Sequence, residues 1–576
     1  MAEQRCLVKS VVMATAVLML VAGCTPGQSA PGGRGDQLSP TEGQRPRGTL
    51  TIAWAREPET LSPKFLGGSG NGEFQWTFNS TLTFRDLAGL PSPLLARQIP
   101  TQENGDWVIN PDGTMVTTYR LRPNTLWHDG TPLTAGDFVF AHTVYLDRDL
   151  PITNPNPEPL MDRVEAPDDL TVVIYWKEPY STANVLGIEQ LVPLPRHVLA
   201  EKYRTNRASF TFGEEWTTAY VGTGPYKVER WTPGVGIIAR AHTGWALGAP
   251  KIEILDIRFI TEQNALLVAV LAGEVDLINS PGIRAEEAAV AREQWGTGGP
   301  GGPGYVKTWA TRTSYLEFQF REVPRWQRAV TDVRVRRALV HAIDRDGLAE
   351  AVNFGFEPAA DAFISRSDAL IAEVDRAIVK YPFDRNRAAS LLAEAGWRRS
   401  TEGALAVNAA GQTLDVDLVA TASQERHATI ASDNWRTAGV NSQPAIIPAA
   451  RARDGELRSS FTSVALNGRT IGPNNFVWTQ VELPGPENRW SGSNRGSFVD
   501  AEIDRLQRIR ITTVDAQEAK EATIALLRRT SELVGVAPLI YSVEAIIARN
   551  RLRGPVGNYV SQEGITWNIH EWEVTD

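Results

Sequence analysis

The chain of 576 residues is long enough for several domains, and its 42% hydrophobic and 22% charged residues are typical of a folded protein. This composition excludes a mainly disordered, collagen-like or multi-span membrane chain. Because 58 lysines and arginines stand against 67 acidic residues, the formal charge is −9, and the basic signature of a nucleic-acid-binding protein is missing.

The N-terminal 48 residues are predicted to be an export signal and a tether. Arg5 and Lys9 precede an apolar run over residues 11–22, which is too short to cross a bilayer and is typical of a secretory signal. Residues 1–23 are therefore predicted to be a signal peptide. Residues 25–48 are rich in glycine and proline and carry almost no large apolar side chains, so they cannot pack a core.

The signal ends in Leu-Val-Ala-Gly-Cys, residues 20–24, which resembles a bacterial lipobox. The resemblance implies that Cys24 is diacylated and becomes the mature N-terminus, so that residues 24–48 are a lipidated cysteine and its flexible tether. The alternative is an ordinary signal peptide in which Cys24 occurs by chance. Cys6 is the other cysteine of the chain, so the body contains neither a disulfide nor a cysteine-ligated metal.

The body is predicted to contain two strand–helix–strand units. In the first, strands over residues 251–260 and 275–278 flank a helix over residues 261–273. Thr261 is the predicted N-cap of this helix, and Gly273 is the residue predicted to end it. In the second, strands over residues 414–418 and 440–447 flank another helix. Two such units, far apart in the chain, predict an α/β fold with two lobes.

An apolar stripe that begins at Val335 predicts a further helix. Arg334, Arg336 and Arg337 lie beside this stripe. We interpret them as the solvent-exposed face of an amphipathic helix and not as an anion-binding site.

Catalytic motifs are missing or stand in the wrong context. Residues 299–304 satisfy G-x-G-x-x-G, but they follow a helical pattern and contain prolines, which favours a loop over a nucleotide site. Asp168 and Asp169 are interpreted as a turn before a strand. The seven histidines are dispersed, with no pair three or four residues apart. The sequence therefore predicts no enzyme, no catalytic residue, no metal and no cofactor.

Six stretches occur in the order found in family 5 extracellular solute-binding proteins of ABC importers, which include oligopeptide-, dipeptide- and nickel-binding proteins. They are residues 126–140 (LWHDGTPLTAGDFVF), 222–228 (GTGPYKV), 273–276 (GEVD), 333–345 (VRVRRALVHAIDR), 381–397 (YPFDRNRAASLLAEAGW) and 536–540 (VAPLI). The resemblance implies a periplasmic-binding-protein-like α/β fold, in which two lobes surround a cleft and the first lobe carries an extra domain.

The same resemblance implies domain boundaries. Lobe I comprises residues 49–78, 213–308 and 543–576, the extra domain residues 79–212, and lobe II residues 309–542.

Two strands, over residues 314–320 and 538–543, are expected to cross between the lobes near the hinge. Tyr315 and Glu317 lie on the first of them. Trp54 ends the first strand of the body, over residues 49–54, and ligands in α/β lobes tend to bind at strand ends. These three side chains are therefore candidates for ligand contact.

One departure from the family concerns the ligand. Peptide binders of this family carry an acid in a pattern like W-x-x-D-Y-x-x-P, where it pairs with the α-ammonium of the peptide. The similar segment here, residues 461–473, contains no acid and offers Asn467 and Arg469. Glu57 or Glu317 is an alternative acid that could pair with the α-ammonium from another part of the chain. The candidate ligand-binding residues are Trp54, Glu57, Tyr315, Glu317, Asn467 and Arg469.

The resemblance implies a substrate-binding protein that captures a peptide-like or other small solute by lobe closure and delivers it to ABC permease subunits. It further implies a monomer, held by its lipid anchor at the outer face of the cytoplasmic membrane, in the periplasm or at the cell surface. Two alternatives stay open: a secreted lipoprotein hydrolase, and a ligand sensor without a permease. The missing nucleophile and metal motifs argue against the hydrolase.

Overall fold

The described part of the chain is given by the computed structural model. It comprises residues 47–65, 72–87, 89–152, 156–188, 190–279, 283–296, 302–471, 476–555 and 564–575. The predicted signal peptide, Cys24 and most of the predicted tether lie outside these residues, as does the start of the glycine-rich stretch 299–304.

The helices of the described residues are α1 Gly72–Phe78, α2 Ala135–Tyr145, α3 Arg196–Thr205, α4 Arg207–Phe210, α5 Gln263–Ala272, α6 Ala285–Trp295, α7 Val333–His341, α8 Arg345–Asn353, α9 Ile371–Ala377, α10 Arg385–Glu394, α11 Glu425–Thr437, α12 Gly455–Ser459, α13 Ala501–Thr512 and α14 Ala516–Leu533. The strands are β1 Thr49–Trp54, β2 Thr83–Arg85, β3 Pro91–Pro93, β4 Trp107–Ile109, β5 Met115–Arg120, β6 Met161–Asp168, β7 Thr171–Trp176, β8 Tyr226–Thr232, β9 Gly236–Ala241, β10 Ile254–Phe259, β11 Leu277–Asn279, β12 Gly304–Phe318, β13 Asp415–Thr421, β14 Asn441–Ile447, β15 Val464–Thr470, β16 Val536–Arg549, β17 Leu552–Arg553 and β18 Glu573–Val574.

One ten-stranded sheet runs through both halves of the body, in the order β14-β13-β15-β12-β16-β11-β1-β10-β9-β8. Its two long central strands, β12 and β16, are antiparallel and pair from Gly304 with Arg549 to Glu317 with Val536. Near one end β16 pairs with β11, and near the other end β12 pairs with β15. The β1 half and the β13 half of the sheet are thus joined through β12 and β16.

The two halves of the large sheet and the four-stranded sheet have separate apolar cores. Leu50 and Ile257 lie in the core of the β1 half, whereas Leu339 and Val416 lie in the core of the β13 half. A third core lies under a separate four-stranded sheet, β4-β5-β7-β6, and contains Phe138 of α2. The ten-stranded and the four-stranded sheets pack against helices, as the apolar periodicity of their strands and of the helices requires.

Both predicted strand–helix–strand units are confirmed, as β10-α5-β11 and β13-α11-β14. The predicted helix-ending Gly273 has φ +83°, a left-handed conformation that favours glycine at a helix C-terminus. The predicted N-cap is wrong by one residue, since Glu262 and not Thr261 precedes the helix. Strands are present where residues 314–320 and 538–543 were expected to form them, as parts of the longer strands β12, which ends at Phe318, and β16. That these strands cross between the lobes stays a prediction.

The prediction of an exposed arginine face on α7 is wrong for Arg336, which is 4% exposed. Its guanidinium donates to backbone carbonyl oxygens of four residues: Val330, Thr331, Leu533 and Val534. Burial lowers the pKa of Arg336 to about 10. Arg334 is largely exposed and pairs with Asp332 at 2.6 Å, as expected for a solvated side chain. Amphipathic spacing does not distinguish the buried Arg336 from the exposed Arg334, because the burial of Arg336 depends on carbonyl groups at the ends of neighbouring elements.

Candidate ligand-binding site

Four of the six candidate residues lie on one face of the sheet where β12 and β15 pair. Tyr315 stands opposite Asn467, and Thr313 stands opposite Arg469. Because alternate residues of a strand point to the same side, Glu317 shares this face with them. We call this surface the Glu317 face; its residues are Thr313, Tyr315, Glu317, Ala465, Asn467 and Arg469.

Glu317 is fully buried and its carboxylate is held by two donors. Asn467 donates through Nδ2 to Oε2 at 2.8 Å, and the Gly496 N–H donates to Oε1 at 2.8 Å. Burial raises the pKa of Glu317, and these hydrogen bonds oppose the rise. Arg458 donates through Nη2 to the Asn467 Oδ1 at 2.9 Å, so the Asn467 amide is fixed on both sides.

The charges of three half-buried arginines, Arg458, Arg469 and Arg495, act on this carboxylate. Burial, with a smaller contribution from the neighbouring Arg495 guanidinium, lowers the pKa of Arg458 to about 10. Burial also lowers the pKa of Arg469. Both shifts have the sign expected for cations that have lost contact with water.

Aromatic rings close one side of the Glu317 face. Tyr315 contacts Phe363 and Trp478 edge-on, with ring centroids 5.5 Å and 5.1 Å apart. Trp478 also packs on Phe363 at 4.2 Å. This arrangement provides a rigid apolar wall beside the charged groups, as ligand sites commonly do.

The other two candidates lie elsewhere, and none of the contacts among the described residues joins them to the Glu317 face. Trp54 is buried at the end of β1, with its ring 4.1 Å from that of Phe74. Glu57 accepts hydrogen bonds from the Trp231 Nε1 at 2.7 Å and the Gly234 N–H at 2.9 Å. The Glu57 carboxylate therefore fastens the β8–β9 hairpin. A ligand role for Trp54 and Glu57 stays a prediction.

Sequence reasoning missed Arg458, Arg495, Thr313 and Trp478. Period-two alternation would have added Thr313, which lies two residues before Tyr315 on the same face. Nothing local to Arg458, Arg495 or Trp478 reveals their position, because they lie outside β12 and β15 and reach the Glu317 face only through the fold.

A separate crevice lies away from this face. It measures about 290 Å³ and lies between α7, α14 and the start of β16. Arg345 and Asp361 line this crevice, and Arg345 donates to Asp361 at 2.8 Å, so these two charges are paired with each other. Within the described residues we find no cluster of three histidine, cysteine or acidic side chains suited to a metal ion, and no helix long and apolar enough to span a membrane.

Comparison with known proteins agrees with this architecture. A protein of Brucella ovis, named as an ABC transporter peptide-binding protein, is 27% identical over 364 residues, which is 60% of this chain and 63% of that protein. The chain thus matches less than two thirds of that relative. Heme-binding protein A of Haemophilus influenzae is 24% identical over 539 residues, covering 87% of this chain and 90% of its own.

Solved structures share the fold. The oligopeptide-binding protein AppA of Bacillus subtilis, in complex with a nonapeptide, superposes with a TM-score of 0.69 at 18% identity, over 93% of this chain and all of AppA. NikA of Brucella suis, in complex with Fe(III)-EDTA, gives a TM-score of 0.73 at 19% identity, over 92% of this chain and all of NikA.

The α/β architecture with its two lobes is therefore that of periplasmic solute-binding proteins. The family model described as "Bacterial extracellular solute-binding proteins, family 5 Middle" matches residues 99–485, which is more than half of the chain. The chain belongs to the family 5 bacterial extracellular solute-binding proteins.

Proposed function

We propose that the protein is the lipid-anchored, extracytoplasmic substrate-binding protein of an ABC importer, which captures a peptide-like or other small solute and delivers it to a permease. The observation that carries this proposal is the pair of long strands, β12 and β16, which connect two α/β halves with separate cores. Two bodies joined by two strands can change their relative angle by small backbone changes at the crossing. Family membership supports the same function.

In this proposal the lobes have the boundaries expected from the sequence: lobe I at residues 49–78, 213–308 and 543–576, the extra domain at residues 79–212, and lobe II at residues 309–542. A solute that contacts both lobes only in the closed form stabilises that form by its differential affinity. Binding and release require no bond chemistry, so the protein acts without catalysis.

Solute binding should therefore make the particle more compact. We expect the radius of gyration, measured by small-angle X-ray scattering, to fall when the protein is saturated with the solute extracted from it and identified by mass spectrometry. The far-ultraviolet circular dichroism should stay unchanged, because hinge closure moves rigid bodies. An unchanged radius at saturation would contradict closure.

The same extracted solute provides the test of the whole function. Cells in which the gene is deleted should lose uptake of the labelled solute, and the gene carried on a plasmid should restore it. Undiminished uptake after deletion would favour a sensor without a permease.

The anchor is tested separately. Replacing Cys24 by alanine removes the thiol that would carry the acyl chains, so the protein should appear in the medium or periplasm, or accumulate as unprocessed precursor. Cell fractionation with immunoblotting measures the distribution. Cys6→Ala is the matched control and should leave it unchanged. Processed Cys24→Ala protein that stays in the membrane fraction would contradict lipid anchoring.

A further inference from the structure

The four-stranded sheet and its core lie within residues 79–212, the proposed extra domain, and buried contacts fasten them to the β1 half. The His128 N–H donates to the Gly222 carbonyl oxygen at 3.0 Å, and the Gly222 N–H donates to the His128 Nδ1 at 3.1 Å. The Trp245 Nε1 donates to the Ser80 Oγ at 2.9 Å, and both residues are buried. Because breaking such contacts is costly, we expect the extra domain to move with the β1 half.

A second, smaller contact joins the extra domain to α13, in the proposed lobe II. In the segment that follows β7, the Ser181 N–H donates to the Ile511 carbonyl oxygen at 3.1 Å. Glu178 lies 3.8 Å from Arg508, and both side chains are exposed. Val514 is partly buried and packs against the core of the extra domain. We call this the α13 contact; its residues are Glu178, Ser181, Arg508, Ile511 and Val514.

The helix α13 connects this contact to the Glu317 face. Leu506 of α13 lies in one apolar core with Tyr315 and Trp478, the aromatic wall of that face. The Asp504 Oδ1 accepts a hydrogen bond from the Gln480 N–H, two residues after Trp478, at 2.9 Å. Because a helix moves as a rigid element, a displacement of α13 by the extra domain also displaces the aromatic wall.

We propose that the α13 contact is a latch between the lobes, which forms when lobe II closes towards lobe I with its extra domain and breaks when the lobes open. This inference rests on the proposed function and adds a conformational control to it. None of the five residues of the α13 contact belongs to β12 or β16, so the latch is a connection separate from the strands that join the two halves of the sheet.

The composition of the α13 contact suits a contact that breaks repeatedly. An exposed ion pair contributes little, and one hydrogen bond and one partly buried valine contribute modestly. The contact of the extra domain with the β1 half is buried instead, as expected for a permanent one. The strength of the latch then sets the fraction of closed protein before any solute binds, and with it the apparent affinity for the solute.

A disulfide across the latch provides the first test. Ser181→Cys and Ile511→Cys are introduced together into a chain in which Cys6 and Cys24, its two natural cysteines, are replaced by alanine. Residues joined by a backbone hydrogen bond have Cα atoms about 5.5 Å apart, which a disulfide can span. We expect mild oxidation to remove both free thiols, measured with Ellman's reagent. The radius of gyration of the oxidised monomer, measured by small-angle X-ray scattering, should be smaller than that of the reduced protein.

The two single-cysteine variants are the controls, and oxidant should leave the radius of their monomers unchanged. All samples are refolded from urea, so that no co-purified solute holds the lobes together.

A variant that weakens the latch provides the second test. Val514→Asp places a charge against an apolar core, so it should raise the ratio of open to closed protein by about tenfold and increase the radius of gyration. Val499→Asp is the matched control. Val499 directly precedes Asp500, the capping residue of α13, as Val514 precedes Asp515, the capping residue of α14, but Val499 is 46% exposed. Its replacement should leave the radius unchanged.

Free thiols that survive oxidation would overturn the inference, because the α13 contact would then be absent. A disulfide that leaves the radius unchanged, together with a folded Val514→Asp protein of wild-type radius, would also overturn it, because the contact would then persist at every angle of the lobes. If the disulfide leaves the radius unchanged but Val514→Asp increases it, the latch already holds the solute-free protein closed, which supports the inference. Val514→Ala replaces the aspartate variant if circular dichroism shows that the latter is unfolded. The proposed function is judged independently, by uptake of the extracted solute.

Discussion

Replacing Lys64 by methionine should lower the free energy of unfolding by about 3 to 5 kcal/mol, the largest effect we expect of any single substitution in the body. The Lys64 ammonium and the Glu158 carboxylate form an ion pair at 2.6 Å, and neither side chain has any exposed surface. The other oxygen of Glu158 accepts a hydrogen bond from the Leu191 N–H at 2.7 Å. Without Lys64 the buried carboxylate would keep that bond but lose its counter-charge.

A second Lys–Glu pair provides a matched control. Lys202 and Glu215 approach to 2.7 Å, nearly the same distance, but their side chains are 25% and 29% exposed. Lys202→Met should therefore cost about 1 kcal/mol or less, since water solvates the remaining carboxylate. The double variant Lys64→Met/Glu158→Gln should recover much of the stability lost in Lys64→Met, because both charges leave the interior together and the glutamine oxygen can still accept from the Leu191 N–H.

Urea unfolding followed by tryptophan fluorescence measures all four proteins. Equal losses of unfolding free energy for Lys64→Met and Lys202→Met would contradict the role of burial. A double variant less stable than Lys64→Met would show that the unpaired Glu158 carboxylate is not the cause of the loss.

Local patterns in the sequence predicted much of the architecture. The alternation in β10 and β13 and the helix end at Gly273 depend on neighbours a few residues away, and each of these predicted elements is present. The pair of Lys64 with Glu158 was not predicted, since its partners are 94 residues apart and lie on no periodic pattern. Burial of Arg336 was missed for the same reason: its acceptors include carbonyls almost 200 residues away.

The candidate site shows the same limit. Tyr315 and Glu317 were predicted from a strand, and Asn467 and Arg469 from a segment that resembles one of the family's. The pairing of β12 with β15 brings these four residues to one face. Arg495 joins them through a loop whose position depends on the Gly496 N–H bonding Glu317, a contact across 179 residues. Sequence periodicity identifies residues that share a strand face, but it does not identify the loops that cover that face.

Acidification should destabilise the protein through buried histidines. Burial lowers the pKa of both His128 and His570 from 6.5 to about 3, so both are neutral in the fold and take up a proton on unfolding. Their stabilisation is fully present above pH 6.5 and is lost as the pH falls towards about 3. Each contributes ~1.4 kcal/mol per pH unit within this window. Glu317, whose pKa is raised by burial, offsets part of the loss because its sign is opposite.

His128 allows the contribution of one proton to be isolated. Its Nδ1 accepts from the Gly222 N–H at 3.1 Å, so its Nε2 carries the hydrogen and donates to the Gly224 carbonyl oxygen at 3.1 Å. Protonation of Nδ1 would abolish the first bond. Asparagine can retain the acceptor without titrating. His128→Asn should therefore reduce the slope of unfolding free energy against pH by ~1.4 kcal/mol per unit between pH 6 and 4.

The control for this variant must disturb the same turn without removing a titrating group. Thr223→Val does so, because the Thr223 hydroxyl accepts from the Ser80 N–H at 3.1 Å and is buried. It should lower stability by about 1 to 3 kcal/mol at every pH and leave the slope unchanged. Urea midpoints at a series of pH values give both slopes. If His128→Asn keeps the wild-type slope, another group takes up the proton and the neutral His128 is not the cause of acid sensitivity.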